Sequence, residues 1–234
     1  AESHEMQRLV QYASRIAPSP LPVLILGERG VGKETIARLV HEQSERASQP
    51  LVSVQCAALA TSLQPSRLFG HRTGAFEGAM EDAPGLLREA DGQTVLLDDV
   101  DELTLPAQVG LLRLIEQQSI PEPADVRLLC ASSRPLAELA ERGLFSRDLL
   151  ARLEVLKLVV PPLRQRREDV QPLAKGFLER RGEPLRRLDP DALRVLEQHD
   201  WPGNLRELQN VLDRASALSR GPAITADQLP LSLV

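Results

Sequence analysis

The stretch Pro22-Val-Leu-Ile-Leu26-Gly27-Glu28-Arg29-Gly30-Val31-Gly32-Lys33-Glu34-Thr35 decides how the rest of the chain is read. An apolar run of strand length gives way to three glycines within six residues, then to a lysine that opens a helical pattern over residues 34–44. Glycines let backbone amides close around an anion, and the amides at a helix N-terminus point at it. The lysine, expected to be exposed, adds a full positive charge beside the β and γ phosphates of a nucleotide. Residues 27–35 are therefore the candidate nucleotide-binding segment. One position departs from the general phosphate-loop pattern: the Ser or Thr expected after the lysine is Glu34, and Thr35 follows.

Working outward, Met6, Leu9, Val10, Ala13 and Ile16 recur at helical spacing, and Pro18 and Pro20 close that helix before the first strand. Further strand-like runs fall at residues 51–54, 94–97, 126–130 and 155–160, separated by stretches that hold helices, such as 105–117 and 147–153. Buried strands alternating with helices predict a parallel sheet covered on both faces, an α/β architecture. The run 94–97 ends in Asp98-Asp99. Two carboxylates at the carboxyl end of a sheet strand suit a magnesium ligand and a water-orienting base, although a helix-capping turn uses the same pair. Pro161-Pro162 marks a boundary, after which the β-like runs stop and helical patterns follow around 168–181, 190–198 and 203–219. The expected division is an α/β nucleotide-binding part, 1–161, and a small helical part, 162–234.

Over 234 residues, 42% hydrophobic and 26% charged content excludes a disordered, collagen-like or membrane-embedded chain. No apolar run approaches the roughly 20 residues of a membrane span, and the first residues lack the chemistry of a secretory signal, so a cytoplasmic location is expected. Cys56 and Cys130 lack metal-ligand spacing and read as small buried thiols. The net charge of −5 argues against a nucleic-acid surface spread over this chain. Any contact with DNA would go through a domain outside it. The four histidines form no common cluster in sequence and read as structural.

Several further stretches, in order, carry a specific resemblance. They are Leu68-Phe-Gly-His71 through Gly74-Ala75-Phe76-Glu77-Gly78-Ala79, Asp125-Val-Arg-Leu128, and Phe145 through Arg152-Leu153. Pro161-Pro-Leu-Arg164 through Arg167-Glu-Asp169 and Trp201-Pro-Gly-Asn204-Leu-Arg206-Glu-Leu208 complete the set. With the phosphate loop, the chain resembles, over essentially its whole length, the AAA+ ATPase domain of bacterial sigma-54-dependent transcription activators, the enhancer-binding proteins. That family carries Glu after the phosphate-loop lysine, as at Glu34. The resemblance implies an AAA+ P-loop NTPase fold with a C-terminal helical lid, ATP and Mg2+ as cofactors, and a ring of subunits, typically a hexamer, that remodels sigma-54 RNA polymerase holoenzyme. It implies nucleotide contacts from Gly27, Glu28, Arg29, Gly30, Val31, Gly32, Lys33, Glu34 and Thr35, with Arg206 as the lid arginine that senses the γ-phosphate. Asp98 would be the magnesium-associated aspartate, Asp99 would stand at the catalytic carboxylate with Gln55 as its amide partner, and Arg152 would be an arginine finger. Residues 74–79 would form the loop that contacts sigma-54. The chain is expected to be a central module of a longer protein.

The departures from the family pattern matter as much. Asp99 stands in place of Glu and Gln55 in place of Asn, so one side chain is shorter and its partner longer by one methylene. This is either a compensated pair or two independent changes. Ser133 replaces the sensor asparagine, and Ser146 replaces the first finger arginine with Arg147 adjacent. For Arg152 the bland alternative is an i,i+4 pair with Asp148. Glu77 replaces a threonine, and a carboxylate cannot donate the hydrogen bond that a hydroxyl gives. The alternative function is a degenerate regulator with weak or no hydrolysis, acting on another polymerase form or as a nucleotide-gated binding module.

Overall fold

The computed structural model describes residues 2–75, 80–116, 124–180, 187–219 and 221–230. The elements in chain order are α1 (His4–Ile16), β1 (Val23–Leu26), α2 (Lys33–Glu42), β2 (Leu51–Gln55), α3 (Gln64–Phe69), α4 (Leu86–Glu89), β3 (Thr94–Asp98), α5 (Leu105–Ile115), β4 (Arg127–Ser132), α6 (Leu136–Glu141), α7 (Arg147–Leu153) and β5 (Leu156–Val159). They are followed by α8 (Val170–Arg180), β6 (Arg187–Leu188), α9 (Pro190–Gln198), α10 (Asn204–Leu218) and β7 (Ala223–Ile224). The chain forms two compact units. One holds Tyr12–Leu26 and Lys33–Val159, here the sheet unit; the other holds Ala1–Gln11, Gly27–Gly32 and Val160–Val234, here the loop-and-lid unit.

In the sheet unit, five parallel strands run in the order β2-β3-β4-β1-β5. The order explains the sequence pattern. Central β4 is buried at all six residues and β3 at its first four, so Leu128–Ala131 and Val95–Leu97 read as apolar runs, whereas edge strands β2 and β5 are buried at one residue each. Leu24, Leu97, Leu111, Phe145 and Leu149 belong to one core cluster with Cys56 and Cys130. Both cysteines are free and buried, as expected. Burial pushes the Cys130 thiol up to about 12, which removes it from thiolate chemistry at neutral pH.

The loop-and-lid unit is built around Trp201, which is fully buried and donates its indole N–H to the Leu196 carbonyl at 2.8 Å. Helices α8, α9 and α10 bury Val170, Ala174, Leu196, Leu208 and Leu212 in the same cluster. Asp189 caps α9 by accepting from the Asp191 amide, and Pro190 occupies the first helical turn, where its missing N–H has no partner to lose. The expectation that β structure ends at Pro161-Pro162 is corrected here. β6 and β7 pair in parallel, Arg187 with Ala223 and Leu188 with Ile224. Two-residue strands are too short for any periodicity to register.

Candidate functional site

In the loop-and-lid unit, the glycine-rich segment is held by its carbonyl groups. Arg29 O accepts from Asn204 Nδ2 at 3.1 Å, Gly30 O from the Leu205 amide at 2.9 Å, and Val31 O from Arg166 Nη2 at 2.7 Å. Gly30 has φ 76°, and a Cβ there would lie 2.4 Å from the Gly203 carbonyl oxygen, so only glycine permits this approach. On the donor side, Asn204 is fully buried in the left-handed region at φ 52°, and its Oδ1 accepts from the Leu163 amide at 2.8 Å.

Glu28 joins the same network. Arg164 Nη1 donates to its carboxylate at 2.8 Å, Arg164 Nη2 to the other oxygen, and Asn204 Nδ2 at 3.1 Å. The Arg164 guanidinium holds the Glu28 carboxyl at about 2, against a desolvation that alone would raise it, with Asn204 adding to the effect. Arg166 is only 4% exposed, and burial lowers its pKa although Asp169 opposes this. Burial disfavours the Asp169 carboxylate, but hydrogen bonds from the Ser3 amide and hydroxyl and the Glu2 amide, with Arg166 nearby, more than compensate and its pKa falls. Arg206, on α10, is exposed and lines a groove of about 430 Å3 with Arg29, Gly30, Asn210 and Arg214. The local sequence pattern gives Arg164, Arg166 and Asn204 no role of their own. Their only signal was their place in matching stretches.

The sheet unit holds the remaining described candidates. Lys33 opens α2 and is 8% exposed, which corrects the expectation of an exposed lysine. Asp98 ends β3. Burial raises its pKa, Asp99 adds to this, and the amide of Asp99 and the charge of Lys33 oppose it. The parallel register sets Gln55 opposite Asp98, and Gln55 Nε2 donates to Asp99 Oδ2 at 2.5 Å. Asp99 has φ 52° and precedes a short 3-10 turn without capping it through its side chain, so the helix-capping alternative for the pair does not hold. Ser133 Oγ, just past β4, is buried with no hydrogen-bond partner among the described residues. Glu34 and Thr35 are exposed on the first turn of α2, where Glu34 pairs with Arg38 at 2.7 Å.

Ser146 caps α7, its Oγ accepting from the Leu149 amide at 3.3 Å. Arg147 beside it is exposed. Arg152 donates to Glu116 at 2.7 and 3.0 Å, not to Asp148 as the local spacing suggested. A partner 36 residues away is invisible to the i,i+4 rule. Of residues 74–79, Gly74 and Ala75 are described; Phe76, Glu77, Gly78 and Ala79 lie outside the described residues. Just below Gly74 the chain is pinned: His71 pairs with Ala83 as an antiparallel bridge, and the Thr73 amide and hydroxyl donate to Asp82 at 2.6 and 2.8 Å.

Among the described residues no group of three or more His, Cys, Asp or Glu could hold a metal ion, and no helix is long and apolar enough to cross a membrane. His41, His71 and His199 each make a local bond, to the Gln49 carbonyl, Ser66 and Glu207 respectively.

Comparison with known proteins gives a consistent family. Residues 1–159 match the model of the sigma-54 interaction domain, and residues 164–234 that of an AAA+ ATPase lid domain. The chain is 43% identical over 243 residues to the transcriptional regulatory protein ZraR of Klebsiella oxytoca, covering 99% of this chain and 55% of that one. It is 43% identical over 242 residues to the response regulator protein PilR of Pseudomonas aeruginosa, covering 99% and 54%. Among solved structures, NtrX from Brucella abortus in complex with ATP superposes with a TM-score of 0.85 at 35% identity, covering 100% of this chain and 56% of that one. The chain spans about half the length of the curated relatives it matches.

Proposed function

We propose, from the premise that this chain belongs to the sigma-54 interaction domain family of AAA+ transcription regulators, that it binds and hydrolyses ATP and couples turnover to ring assembly and remodelling of sigma-54 RNA polymerase holoenzyme. The observation that carries this reading is a buried Lys33 at the start of α2 together with a half-buried Asp98 at the carboxyl end of β3, two charges placed at the ends of neighbouring elements of one sheet unit. Such an arrangement serves a triphosphate with its cation. The division into a nucleotide-binding part, 1–161, and a lid, 162–234, is part of the same proposal, and a cytoplasmic location follows from the proposed partner.

Within this reading, Gly27, Glu28, Arg29, Gly30, Val31, Gly32, Lys33, Glu34 and Thr35 form the phosphate-binding segment, and Arg206 senses the γ-phosphate. A single carboxylate with raised proton affinity and no cluster of further acidic ligands among the described residues suits magnesium, which keeps several waters and shares its shell with phosphate oxygens. Asp98 would hold it, and the ion would supply charge neutralisation at the β and γ phosphates. Asp99 orients water, and Gln55 fixes the carboxylate by donating to Oδ2. Arg152 acts on the neighbouring subunit's nucleotide after leaving Glu116. Residues 74–79 contact sigma-54, with Glu77 weakening that contact because a carboxylate resists desolvation and donates no hydrogen bond.

A second reading, a regulator with weakened hydrolysis acting on another polymerase form or as a nucleotide-gated binding module, is favoured by Ser146, whose side chain is engaged in capping α7. ATP turnover measured beside ATP affinity, with capture of sigma-54 in the presence of ADP-aluminium fluoride, separates the two. Turnover with capture supports the first reading; tight binding with neither supports the second.

A further inference from the structure

A loop that binds phosphate through its amides must aim its carbonyls elsewhere, and each buried carbonyl left without a donor destabilises the fold. In the loop-and-lid unit, three consecutive carbonyls, those of Arg29, Gly30 and Val31, each accept a hydrogen bond from the 160–234 segment. The donors differ in kind: a buried side-chain amide, the first free amide of α10, and a buried guanidinium. Glu28, just before them, is tied to the same segment by Arg164 and Asn204. Arg166 is the most informative member. Burying a guanidinium is costly unless it is well bonded, yet its Nε has no partner among the described residues, while Nη2 reaches Val31 O.

We propose that Arg166, Asn204 and Arg164 are positioning residues for the phosphate-binding loop: by satisfying its outward carbonyls they fix the loop backbone before the nucleotide arrives. This rests on the proposed ATP reading for the identity of the ligand and on the observed bonds for the latch itself. Because the donors lie in the lid segment, whatever disturbs residues 163–166 or 204–205 is felt as nucleotide affinity, with no contact between those side chains and the nucleotide required.

The test uses the whole chain without nucleotide. Amide hydrogen exchange of residues 28–32 and affinity for a fluorescent ATP analogue are measured for the wild type, Arg166→Met, Arg166→Lys and Arg164→Gln. Arg166→Met is expected to speed exchange of the loop amides at least tenfold and weaken analogue binding about tenfold, while exchange in residues 94–98 stays unchanged. Arg166→Lys, which keeps a donor, should recover part of both effects. Arg164→Gln, at a half-exposed position that keeps the fold intact, should show a smaller change in the same direction. Loop exchange at the wild-type rate in both Arg166→Met and Arg164→Gln overturns the latch. Faster exchange with unchanged affinity overturns its role in binding. If the wild type itself fails to bind the analogue, the ATP reading fails, and the exchange rates still decide whether the latch orders the loop.

Discussion

Glu28 and Asp98 are both acidic, both partly shielded, and both lie in segments proposed to meet the nucleotide, yet their surroundings push them in opposite directions. Glu28 is held at about 2 by the Arg164 guanidinium, with Asn204 assisting. Asp98 is raised by burial and by Asp99, with Lys33 only partly opposing. A carboxylate whose charge is already satisfied within the fold works as a tether. One whose charge remains undercompensated has free energy to gain from a cation supplied by a ligand. The contrast separates a structural acid from the proposed binding acid without appeal to sequence position.

Lys33 is the first place to break the contrast. Lys33→Ala removes the charge that opposes the rise at Asp98 and should weaken ATP binding at least a hundredfold, as read by titration of a fluorescent ATP analogue. Unchanged affinity in a folded variant would move the phosphate site elsewhere. Next in size is the Gln55–Asp99 pair beside it. Asp99→Glu alone crowds the longer glutamine, whereas Asp99→Glu with Gln55→Asn restores a pair of the same total length. Contacting residues couple by roughly 0.5–3 kcal/mol, and a turnover cycle over the four variants should show non-additivity in that range.

Stability sharpens the contrast with smaller numbers. The raised Asp98 opposes folding by a penalty that grows as pH climbs from the ordinary value of 3.8 to its higher folded-state value and stays constant above that, so Asp98→Asn should stabilise the nucleotide-free protein at pH 7 and leave it unchanged near pH 3. Glu28→Gln should destabilise it by less than about 1 kcal/mol, since both partners of the pair are about 40% exposed and solvent screens them. Urea denaturation of the two variants is expected to shift in opposite directions. Smallest of all is the pH dependence of the tether. Its contribution is complete above the ordinary carboxyl value of 4.5 and disappears as pH falls through about 2. The stability curves of the wild type and Arg164→Gln should therefore differ at pH 7 and converge at the acid end.

Local order was legible in the sequence; remote partnership was not. The run 22–26 followed by three glycines and a lysine specifies strand, loop and helix through neighbouring residues alone, and α1, α7 and α9 follow from spacing and caps in the same way. The amide-to-carboxylate bond between Gln55 and Asp99 was foreshadowed only through the family resemblance and is given physically by the parallel register of β2 and β3. Nothing in the local pattern joins Glu28 to Arg164, 136 residues away, or Arg152 to Glu116. Those pairs depend on tertiary packing, which overrides the i,i+4 expectation that offered Asp148.

The most direct measurement is the magnesium dependence of ATP affinity, taken by calorimetry on the wild type, Asp98→Asn and Glu28→Gln. ATP should bind more tightly with magnesium than without it in the wild type and in Glu28→Gln, even where the latter binds more weakly overall, and this enhancement should be lost in Asp98→Asn. An enhancement that survives in Asp98→Asn, or one that vanishes in Glu28→Gln, would contradict the assignment of Asp98 as the binding acid and Glu28 as the tether.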